Sequence, residues 1–430
     1  MRKKPRKRKN QKNGTIFFAI VAIIVLLIST LYIANNIKEQ KLEKTHESHV
    51  IEIKKHYAKN VIVNKLAHLY EKDNDKYIST SMIQKNEIVS LKEKTNFEYT
   101  DEYFEVTTFE KAYYIHYKDV DVTTEDIEHS SRYKKYIPFN KNIITNEDVK
   151  LYDENKNLIY QFKNKLDLPI YINDSNYYGV EYNNRILYIE PSSIESIYEH
   201  SNTKEKNTPG IAVLNYHFFY DASDPKDVSG CNQIICLSTS RLKKHLEYIK
   251  DNNIFTPTMK ELEMYIDGTL QLPKSVVLTI DDGWRADIGS NIMNEYEINA
   301  TVFIVSNDYD PNPYKKEYIE VHSHSHNLHT PGVCPGGQGG GIKCLEKSKL
   351  LEDLSASRTK LDNTTVFCYP FYEYNNYSIE VLKEAGFTMA FGGFGEAGVY
   401  KVKPGINKYK LPRYIIYNNT SEKDIASYIG

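Results

Sequence analysis

The 430-residue sequence has almost no net charge and few cysteines. Its 55 Lys and Arg residues nearly balance 57 Asp and Glu residues, which leaves a formal charge of −2. Charge therefore gives no indication of a nucleic-acid partner. Among the five cysteines, no pair has the spacing of a zinc finger. Cys231/Cys236 and Cys334/Cys344 are close enough in sequence to form disulfides in an oxidising compartment, and free thiols are the alternative.

Charged residues are absent from one long segment near the N-terminus. Residues 15–34 (TIFFAIVAIIVLLISTLYIA) are long enough to cross a hydrocarbon core of about 30 Å. Residues 2–12 carry eight Lys or Arg and no acid, which predicts that this flank stays in the cytoplasm. A cleaved signal peptide would have a shorter apolar segment and a small-x-small site, which does not follow here. We expect an uncleaved anchor, with the rest of the chain outside the cytoplasm.

Composition divides the chain into segments of different character. Between residues 60 and 200, short alternating apolar runs separated by Asn, Asp and Lys predict antiparallel strands. The second half of this region resembles the small bacterial Src-homology-3-like barrels that accompany cell-wall enzymes, so its role is either wall-polymer binding or spacing. The predicted segments are a basic cytoplasmic tail (1–14), a transmembrane anchor (15–34), a helical stalk (35–59), two small β modules (60–135 and 136–201), a linker (202–209) and an α/β domain (210–430).

Residues 210–430 alternate between strand-like and helix-like segments. Residues 211–214, 275–280 and 301–305 are apolar runs that predict buried strands. Residues 237–252 predict an amphipathic helix that Ser238 or Ser240 caps. This alternation indicates an α/β fold with a parallel sheet. In α/β barrels the catalytic residues lie at the carboxyl ends of the strands, so these ends are where a site is expected.

Candidate metal ligands follow two of the predicted segments. Asp281 and Asp282 end the run 275–280, and adjacent carboxylates need a compensating positive charge, which a metal supplies. One carboxylate would bind the metal while its neighbour acts as a base. Neutral imidazole is the commonest protein ligand for zinc-like metals, and one aspartate with two histidines leaves metal positions open for water and substrate. Four histidines lie within eight residues: His322, His324, His326 and His329.

A third segment, residues 367–371, closes another predicted strand. It reads Phe-Cys-Tyr-Pro-Phe, and Pro370 fixes the backbone without supplying a donor. We therefore expect the preceding amide, that of Tyr369, to point rigidly at a substrate oxygen.

These three motifs occur in the order found in the polysaccharide deacetylase family (carbohydrate esterase family 4, the NodB-homology domain), which the chain resembles over about residues 208–430. The resemblance implies a distorted α/β barrel that removes N- or O-acetyl groups from glycans. It also implies a divalent metal, most commonly zinc, with cobalt, nickel or manganese as alternatives. By the same resemblance Asp281 is the general base and Asp282 is a metal ligand.

The histidine motif allows two ligand pairs. The usual family spacing places the second histidine four residues after the first, which fits His322 and His326. A branch similar to poly-N-acetylglucosamine deacetylases uses a spacing of five, which fits His324 and His329. The position of Glu320, four residues before the first ligand in the family, favours His324 and His329.

The general acid is expected at the start of the domain. The family usually supplies a histidine near its C-terminus, but no histidine follows His329 in this chain. In the circularly permuted branch the corresponding strand comes first, and His217 ends the first predicted strand of this domain. The resemblance therefore implies His217 as the acid. Because Cys368 stands where the family often has an arginine, Arg413 is the candidate that orients the base.

Together these features predict a membrane-anchored extracellular hydrolase that removes N-acetyl groups from the N-acetylglucosamine units of cell-wall peptidoglycan and releases acetate, with a poly-N-acetylglucosamine exopolysaccharide as the alternative substrate. The anchor and the β modules favour peptidoglycan slightly as the substrate, whereas the histidine spacing favours a poly-N-acetylglucosamine exopolysaccharide. An O-acetyl glycan esterase and an inactive wall-binding protein are the alternatives. The expected partners are an acetylated glycan and the membrane, with no nucleic acid.

Overall fold

The computed structural model describes residues 21–38, 40–41, 44, 60–92, 102–108, 111–125, 136–183, 185–199, 210–393 and 401–430. The predicted tail, the first residues of the anchor, most of the stalk and the linker lie outside these ranges. Val21–Lys38 forms helix α1, whose side chains are all exposed. Among the described helices, it is the one long and apolar enough to cross a membrane. A signal sequence would pass the same test of length and composition.

The chain divides into two compact units. The first comprises Met1–His129, Asn146–Leu166 and Tyr182–Leu187, and the second comprises Ser130–Thr145, Asp167–Glu181 and Tyr188–Gly430. Both units draw on the region in which two successive β modules were predicted. The module boundaries and the Src-homology-3-like assignment stay predictions.

Antiparallel strands build the first unit, in the hydrogen-bonded order β9-β10-β3-β2-β6-β5-β4-β1-β7. Side chains alternate along them, so that Leu69, Phe104 and Ile115 are fully buried while their neighbours in sequence face the other side. The bounds are β1 (Asn60–Val63), β2 (Ala67–Asp73), β3 (Lys76–Ile83), β4 (Ile88–Leu91), β5 (Tyr103–Thr108), β6 (Lys111–His116), β7 (Val120–Val122), β9 (Val149–Tyr152) and β10 (Leu158–Phe162).

The second unit begins with a small antiparallel group that contacts the α/β part. Strand β11 pairs with β8 and β12, and β8 also pairs with β14. The Asn173 N–H donates to the Thr269 carbonyl at 2.9 Å, which joins this group to a loop of the α/β part. The bounds are β8 (Lys141–Thr145), β11 (Asp167–Asn173), β12 (Tyr178–Tyr182) and β14 (Ile194–Glu199), and β13 (Arg185–Ile189) crosses the boundary between the units.

A parallel sheet in the order β22-β21-β20-β19-β18-β15 forms the centre of the α/β part. Every residue of β15, β18 and β19 is buried, as expected for strands covered on both faces. The bounds are β15 (Ile211–Tyr216), β16 (Phe218–Tyr220), β17 (Cys236–Ser238), β18 (Val276–Ile280), β19 (Ala300–Ile304), β20 (Ile319–Ser323), β21 (Val366–Cys368), β22 (Met389–Phe391), β23 (Lys401–Val402) and β24 (Tyr414–Ile415).

Helices connect these strands, and local capping determines where several of them begin. Ser238 accepts a hydrogen bond from the Arg241 N–H and caps α3, which confirms the predicted cap. Thr258 and Glu261 form a capping box at the start of α4. The bounds are α2 (Pro225–Gly230), α3 (Thr239–Asp251), α4 (Met259–Ile266), α5 (Ala286–Glu295), α6 (Lys347–Lys360), α7 (Asn376–Glu384) and α8 (Glu422–Ile429).

Backbone hydrogen bonds lead from the last parallel strand back towards the first. The Ala390 N–H donates to the Lys408 carbonyl at 2.8 Å, and the Gly392 N–H donates to the Leu411 carbonyl at 2.9 Å. A few residues later, β24 pairs in parallel with β15. The segment 408–415 therefore links the two ends of the parallel sheet.

Candidate active site

The predicted site residues follow the carboxyl ends of neighbouring parallel strands. His217 comes directly after β15, Asp281 and Asp282 come after β18, and His324 comes after β20. Strand β18 lies next to β15 and is separated from β20 only by β19. The topology therefore gathers these side chains at one edge of the sheet, the edge at which open α/β sheets bind ligands.

Asp282, His324 and His329 form a group that could hold a metal ion. Their ligand atoms all lie within 4.8 Å of one another. Asp282 Oδ1 lies 3.2 Å from Nε2 of each histidine. One carboxylate with two imidazoles is a donor set suited to zinc and similar divalent metals.

The hydrogen bond on the far side of His324 fixes which ring nitrogen faces this group. His324 Nδ1 lies 2.9 Å from the Cys368 carbonyl oxygen, which only accepts, so Nδ1 carries the proton. Nε2 is therefore the ring nitrogen that faces Asp282 and the one available to a metal. His324 is buried, and the His329 ring packs against Phe371 with centroids 4.4 Å apart. The residues present therefore fit a bound metal.

A second group of metal-ligating atoms contains Asp281, His324 and Cys368. Arg413 occupies this group, because its guanidinium donates to both Asp281 oxygens at 2.8 Å and lies 3.1 Å from the Cys368 sulfur. A cation there would meet the buried positive charge of Arg413 directly. The Asp282 group is therefore the better metal site.

Charges around Asp282 favour its ionised form. Burial by itself would raise the pKa of Asp282, but hydrogen bonds from His324 and His329 bring it well below the ordinary value. Burial by itself would lower the pKa of His329. The hydrogen bond between His329 and Asp282 outweighs burial, so the pKa of His329 is raised. A proton on His329 therefore competes with a metal for the same site.

Asp281 is buried in a two-pronged ion pair with Arg413. Burial would raise the pKa of Asp281, but the Arg413 guanidinium, with His324, lowers it overall. Arg413 also donates from Nε to the Gly392 carbonyl at 2.8 Å, so its orientation is fixed from both sides. The carboxylate that the sequence assigns as the base is thus ionised and held still beside Asp282.

Two residues that the sequence did not single out hold His217. The Tyr372 hydroxyl donates to Asn215 Oδ1 at 2.8 Å and lies 3.0 Å from His217 Nε2. Since the hydroxyl proton goes to Asn215, its oxygen accepts from the His217 Nε2–H. His217 Nδ1 is buried and has no partner among the described residues, so it remains to hold or transfer a proton. Burial lowers the pKa of His217, against the attraction of Asp281 and Asp282.

Sequence spacing contained a signal for one of these two residues. Asn215 lies two positions before His217, and side chains two apart on a strand share a face. Tyr372 gives no such signal, because it reaches His217 only through an unusual backbone. Phe371 and Tyr372 have φ angles of 59° and 61°, and Asp282 and Ser325 have φ angles of 75° and 78°. Such left-handed conformations are costly for residues other than glycine and cluster at functional sites.

His322 and His326 make contacts elsewhere. His322 Nδ1 bonds to the Thr364 hydroxyl at 2.6 Å, and His326 Nδ1 bonds to the Ser306 hydroxyl at 3.0 Å. Neither belongs to the groups of metal-ligating atoms around Asp281 and Asp282. The structure therefore brings the pair spaced by five to the aspartates, and not the pair spaced by four.

The expectation for Tyr369 requires correction. Its backbone N–H donates to the Phe391 carbonyl at 3.0 Å as part of the pairing between neighbouring strands, so it is not free to contact a substrate oxygen. Its ring is fully buried in the core. Pro370 has no N–H, so the next amide of this segment belongs to Phe371, whose ring packs against His329.

A glycine-rich loop is tied to the same segment. Glu373 accepts hydrogen bonds from the backbone N–H groups of Gln338 (2.5 Å) and Gly340 (2.7 Å), and Lys343 pairs with it at 2.9 Å. At Gly337, whose φ is 61°, a Cβ would lie 1.8 Å from the Glu373 carboxylate. Both cysteine pairs considered from the sequence, Cys231–Cys236 and Cys334–Cys344, are disulfides, and the second closes this loop.

Comparisons with known proteins agree with these motifs. Residues 271–390 match the family model described as polysaccharide deacetylase. A comparison with curated proteins gives no match. Similar solved structures include a de-N-acetylase from Aggregatibacter actinomycetemcomitans (20% identity, 51% of this chain, 99% of that chain, TM-score 0.41). IcaB from Ammonifex degensii is 20% identical, covers 51% of this chain and 97% of its own, and has a TM-score of 0.41. The polysaccharide deacetylase BC0361 from Bacillus cereus is 13% identical, covers 78% of this chain and 98% of its own, and has a TM-score of 0.40. The match to the family model indicates a polysaccharide deacetylase domain that includes residues 271–390.

Proposed function

We propose that this protein hydrolyses the N-acetyl groups of N-acetylglucosamine units in a polysaccharide, releasing acetate and leaving free amines. The observation that carries the proposal is the pairing of two unlike carboxylates at one strand end. Asp282 faces His324 and His329 at 3.2 Å, while Asp281 is held separately by Arg413 at 2.8 Å. One carboxylate is thus arranged to bind a metal and the other to accept a proton.

Asp282, His324 and His329 would hold the metal, and zinc suits this donor set best. When bound, it would polarise the acetyl carbonyl and make water a stronger acid. Asp281 takes a proton from the water while the water oxygen attacks the acetyl carbon. The Phe371 N–H, in place of that of Tyr369, is the proposed donor to the resulting oxyanion. His217 then gives a proton to the sugar nitrogen as the C–N bond breaks.

Poly-N-acetylglucosamine is the proposed polymer, and the spacing of the candidate metal ligands supports it over peptidoglycan. The alternative, peptidoglycan, rests on the anchor and on the β modules. The proposal of poly-N-acetylglucosamine rests on His324 and His329, which face Asp282, and on His217, which follows the first parallel strand. Both features belong to the permuted branch that the sequence resembles.

The test is acetate release by the metal-loaded full-length protein in detergent micelles, with free amines counted on the polymer. We expect release from poly-N-acetylglucosamine, slower release from peptidoglycan, and little from O-acetylated xylan. A chelator should abolish it, and added zinc should restore it. Faster release from acetylated xylan would identify an esterase instead, and no release from any polymer would support the inactive wall-binding alternative.

We also propose that helix α1 anchors the chain with its deacetylase domain outside the cytoplasm. This proposal is supported by an exposed apolar helix that follows a basic segment. In membrane proteins such a basic flank stays in the cytoplasm. Protease added to intact cells should digest the deacetylase domain while the membrane keeps the N-terminus. Quantitative release of the untreated protein into the medium would instead indicate a cleaved signal peptide.

A further inference from the structure

The hydroxyl of Tyr372 lies between the proposed general acid and a buried asparagine. It donates to Asn215 Oδ1 at 2.8 Å and lies 3.0 Å from His217 Nε2. Asn215 and His217 are both buried, so solvent has little access to these bonds. The Tyr372 oxygen therefore accepts the Nε2–H of His217 and holds the imidazole from one side.

The ring of Tyr372 is held in place independently of its hydroxyl. The guanidinium carbon of Arg413 lies 5.4 Å from the ring centroid, over the ring. Gly393 lies so close on another side that a Cβ there would come within 2.8 Å of Tyr372 Cγ. Neither contact involves the hydroxyl, so removal of the hydroxyl alone should leave the ring where it is.

The bond to Tyr372 decides which nitrogen of His217 can transfer a proton. A hydrogen bond on one imidazole nitrogen sets the protonation of the other. Nε2 keeps its proton in the bond to Tyr372, whereas Nδ1 is buried and has no partner among the described residues. The carboxylates of Asp281 and Asp282 are close enough to attract a positive charge on this ring. Nδ1 is therefore the nitrogen left to serve the reaction.

Tyr372 is a neutral partner for the imidazole, which suits an acid. Burial raises the pKa of Tyr372, so its hydroxyl stays protonated. A carboxylate in its place would hold the imidazolium through a charge-assisted hydrogen bond, which is roughly twice as strong as a neutral one. The phenol orients the ring without that attraction, so the proton on Nδ1 is released more readily.

We propose that Tyr372 is the positioning residue of the general acid and serves the step in which the C–N bond of the acetamide breaks. This inference rests on the proposed function, because it takes His217 as the acid. In that step His217 begins with protons on both nitrogens, and the electron pair of the C–N bond goes to the sugar nitrogen, which takes the Nδ1 proton. His217 ends neutral, with its Nε2–H still bonded to Tyr372.

The contrast between an amide and an activated ester tests this role. An amine cannot leave without a proton, whereas 4-nitrophenyl acetate loses a stable aryloxide that needs none. Tyr372→Phe removes only the hydroxyl. Tyr409→Phe is the matched control, because it also removes one tyrosine hydroxyl of this domain, which bonds to the Phe387 carbonyl at 2.8 Å instead of to His217.

The zinc-loaded full-length protein in detergent micelles is assayed on an N-acetylglucosamine trimer and on 4-nitrophenyl acetate. We expect Tyr372→Phe to lower kcat on the trimer by about 10- to 100-fold, the scale of a misplaced catalytic group, with KM and zinc content unchanged. Its rate on the ester should stay near the wild-type value, and Tyr409→Phe should match the wild type on both substrates. Adding Tyr372→Phe to His217→Ala should slow the trimer reaction no further, because the hydroxyl acts through His217.

Equal losses on both substrates would mean that Tyr372 only supports the fold, and a further loss in the combined variant would mean that it acts apart from His217. Either result overturns the inference. The contact is also measured without substrate, since the two substitutions together should lower the midpoint of thermal unfolding by less than the sum of their separate effects. Strictly additive effects on unfolding would contradict the positioning contact. If the wild type released no acetate from the trimer but this coupling was present, the proposed function would fail and Tyr372 would still position His217.

Discussion

Alanine at His324 or at His329 is expected to remove the metal and the activity together. Each imidazole lies 3.2 Å from Asp282, so either substitution leaves two protein ligands where a catalytic site uses three. Loss of a ligand should weaken metal affinity by more than the roughly 10–100-fold typical of losing an outer-shell partner. Elemental analysis after loading with zinc and dialysis, together with acetate release, measures both effects.

The chain provides matched controls for this experiment in the same histidine cluster. His322→Ala and His326→Ala should keep the metal, because these rings bond to Thr364 and Ser306 instead. His322→Ala should still lower the free energy of unfolding by about 1 kcal/mol, since it removes one hydrogen bond of the Thr364 hydroxyl, which keeps its contacts with the Val366 backbone. If the two control variants lost metal and the two ligand variants kept it, the pair spaced by four would be the ligands.

Much of the α/β part could be predicted from the sequence, because its strands are continuous apolar runs. The predicted strand 275–280 is observed as Val276–Ile280, and 301–305 as Ala300–Ile304. The predicted helix 237–252 is observed as Thr239–Asp251. Parallel strands bring their carboxyl ends together, so the meeting of Asp281, Asp282 and His324 follows from the same pattern.

Features that depend on backbone conformation or on contacts distant in sequence could not be predicted in this way. Tyr369 was expected to offer its amide to a substrate, but a strand partner more than 20 residues away takes that N–H. Tyr372 reaches His217 across 155 residues of sequence, through a left-handed backbone that no local pattern indicates. The first unit gathers three separate stretches of chain, which composition alone does not reveal.

Replacing Asp281 or Asp282 by asparagine is expected to lower activity for two different reasons, although the two residues are neighbours. Asp282→Asn removes the negative ligand between His324 and His329, so metal content and activity should fall together. Asp281→Asn leaves those three ligand positions intact and removes the proton acceptor, so the metal should stay. Turnover should then fall by about 10²–10⁴-fold, the usual value of general-base catalysis.

Stability must be measured alongside, because Asp281 also neutralises Arg413. Both side chains are essentially buried, and removing one partner of such a pair typically costs about 3–5 kcal/mol. Asparagine can still accept one hydrogen bond from the guanidinium, so we expect a lower midpoint of thermal unfolding but a folded protein at low temperature. Assays well below that midpoint separate loss of the base from loss of the fold.

His217→Ala removes the proposed general acid and leaves the ion pair between Asp281 and Arg413 in place. It should keep the metal, lower turnover, and change the alkaline limb of the pH–rate profile. An acid works only while protonated, so the wild-type rate falls as pH rises through the pKa of His217, which burial lowers below its ordinary value. Normal turnover in this variant would mean that the acid is another residue. Metal loss in Asp281→Asn with metal retention in Asp282→Asn would mean that the two aspartates have exchanged roles, with Arg413 holding the ligand rather than the base.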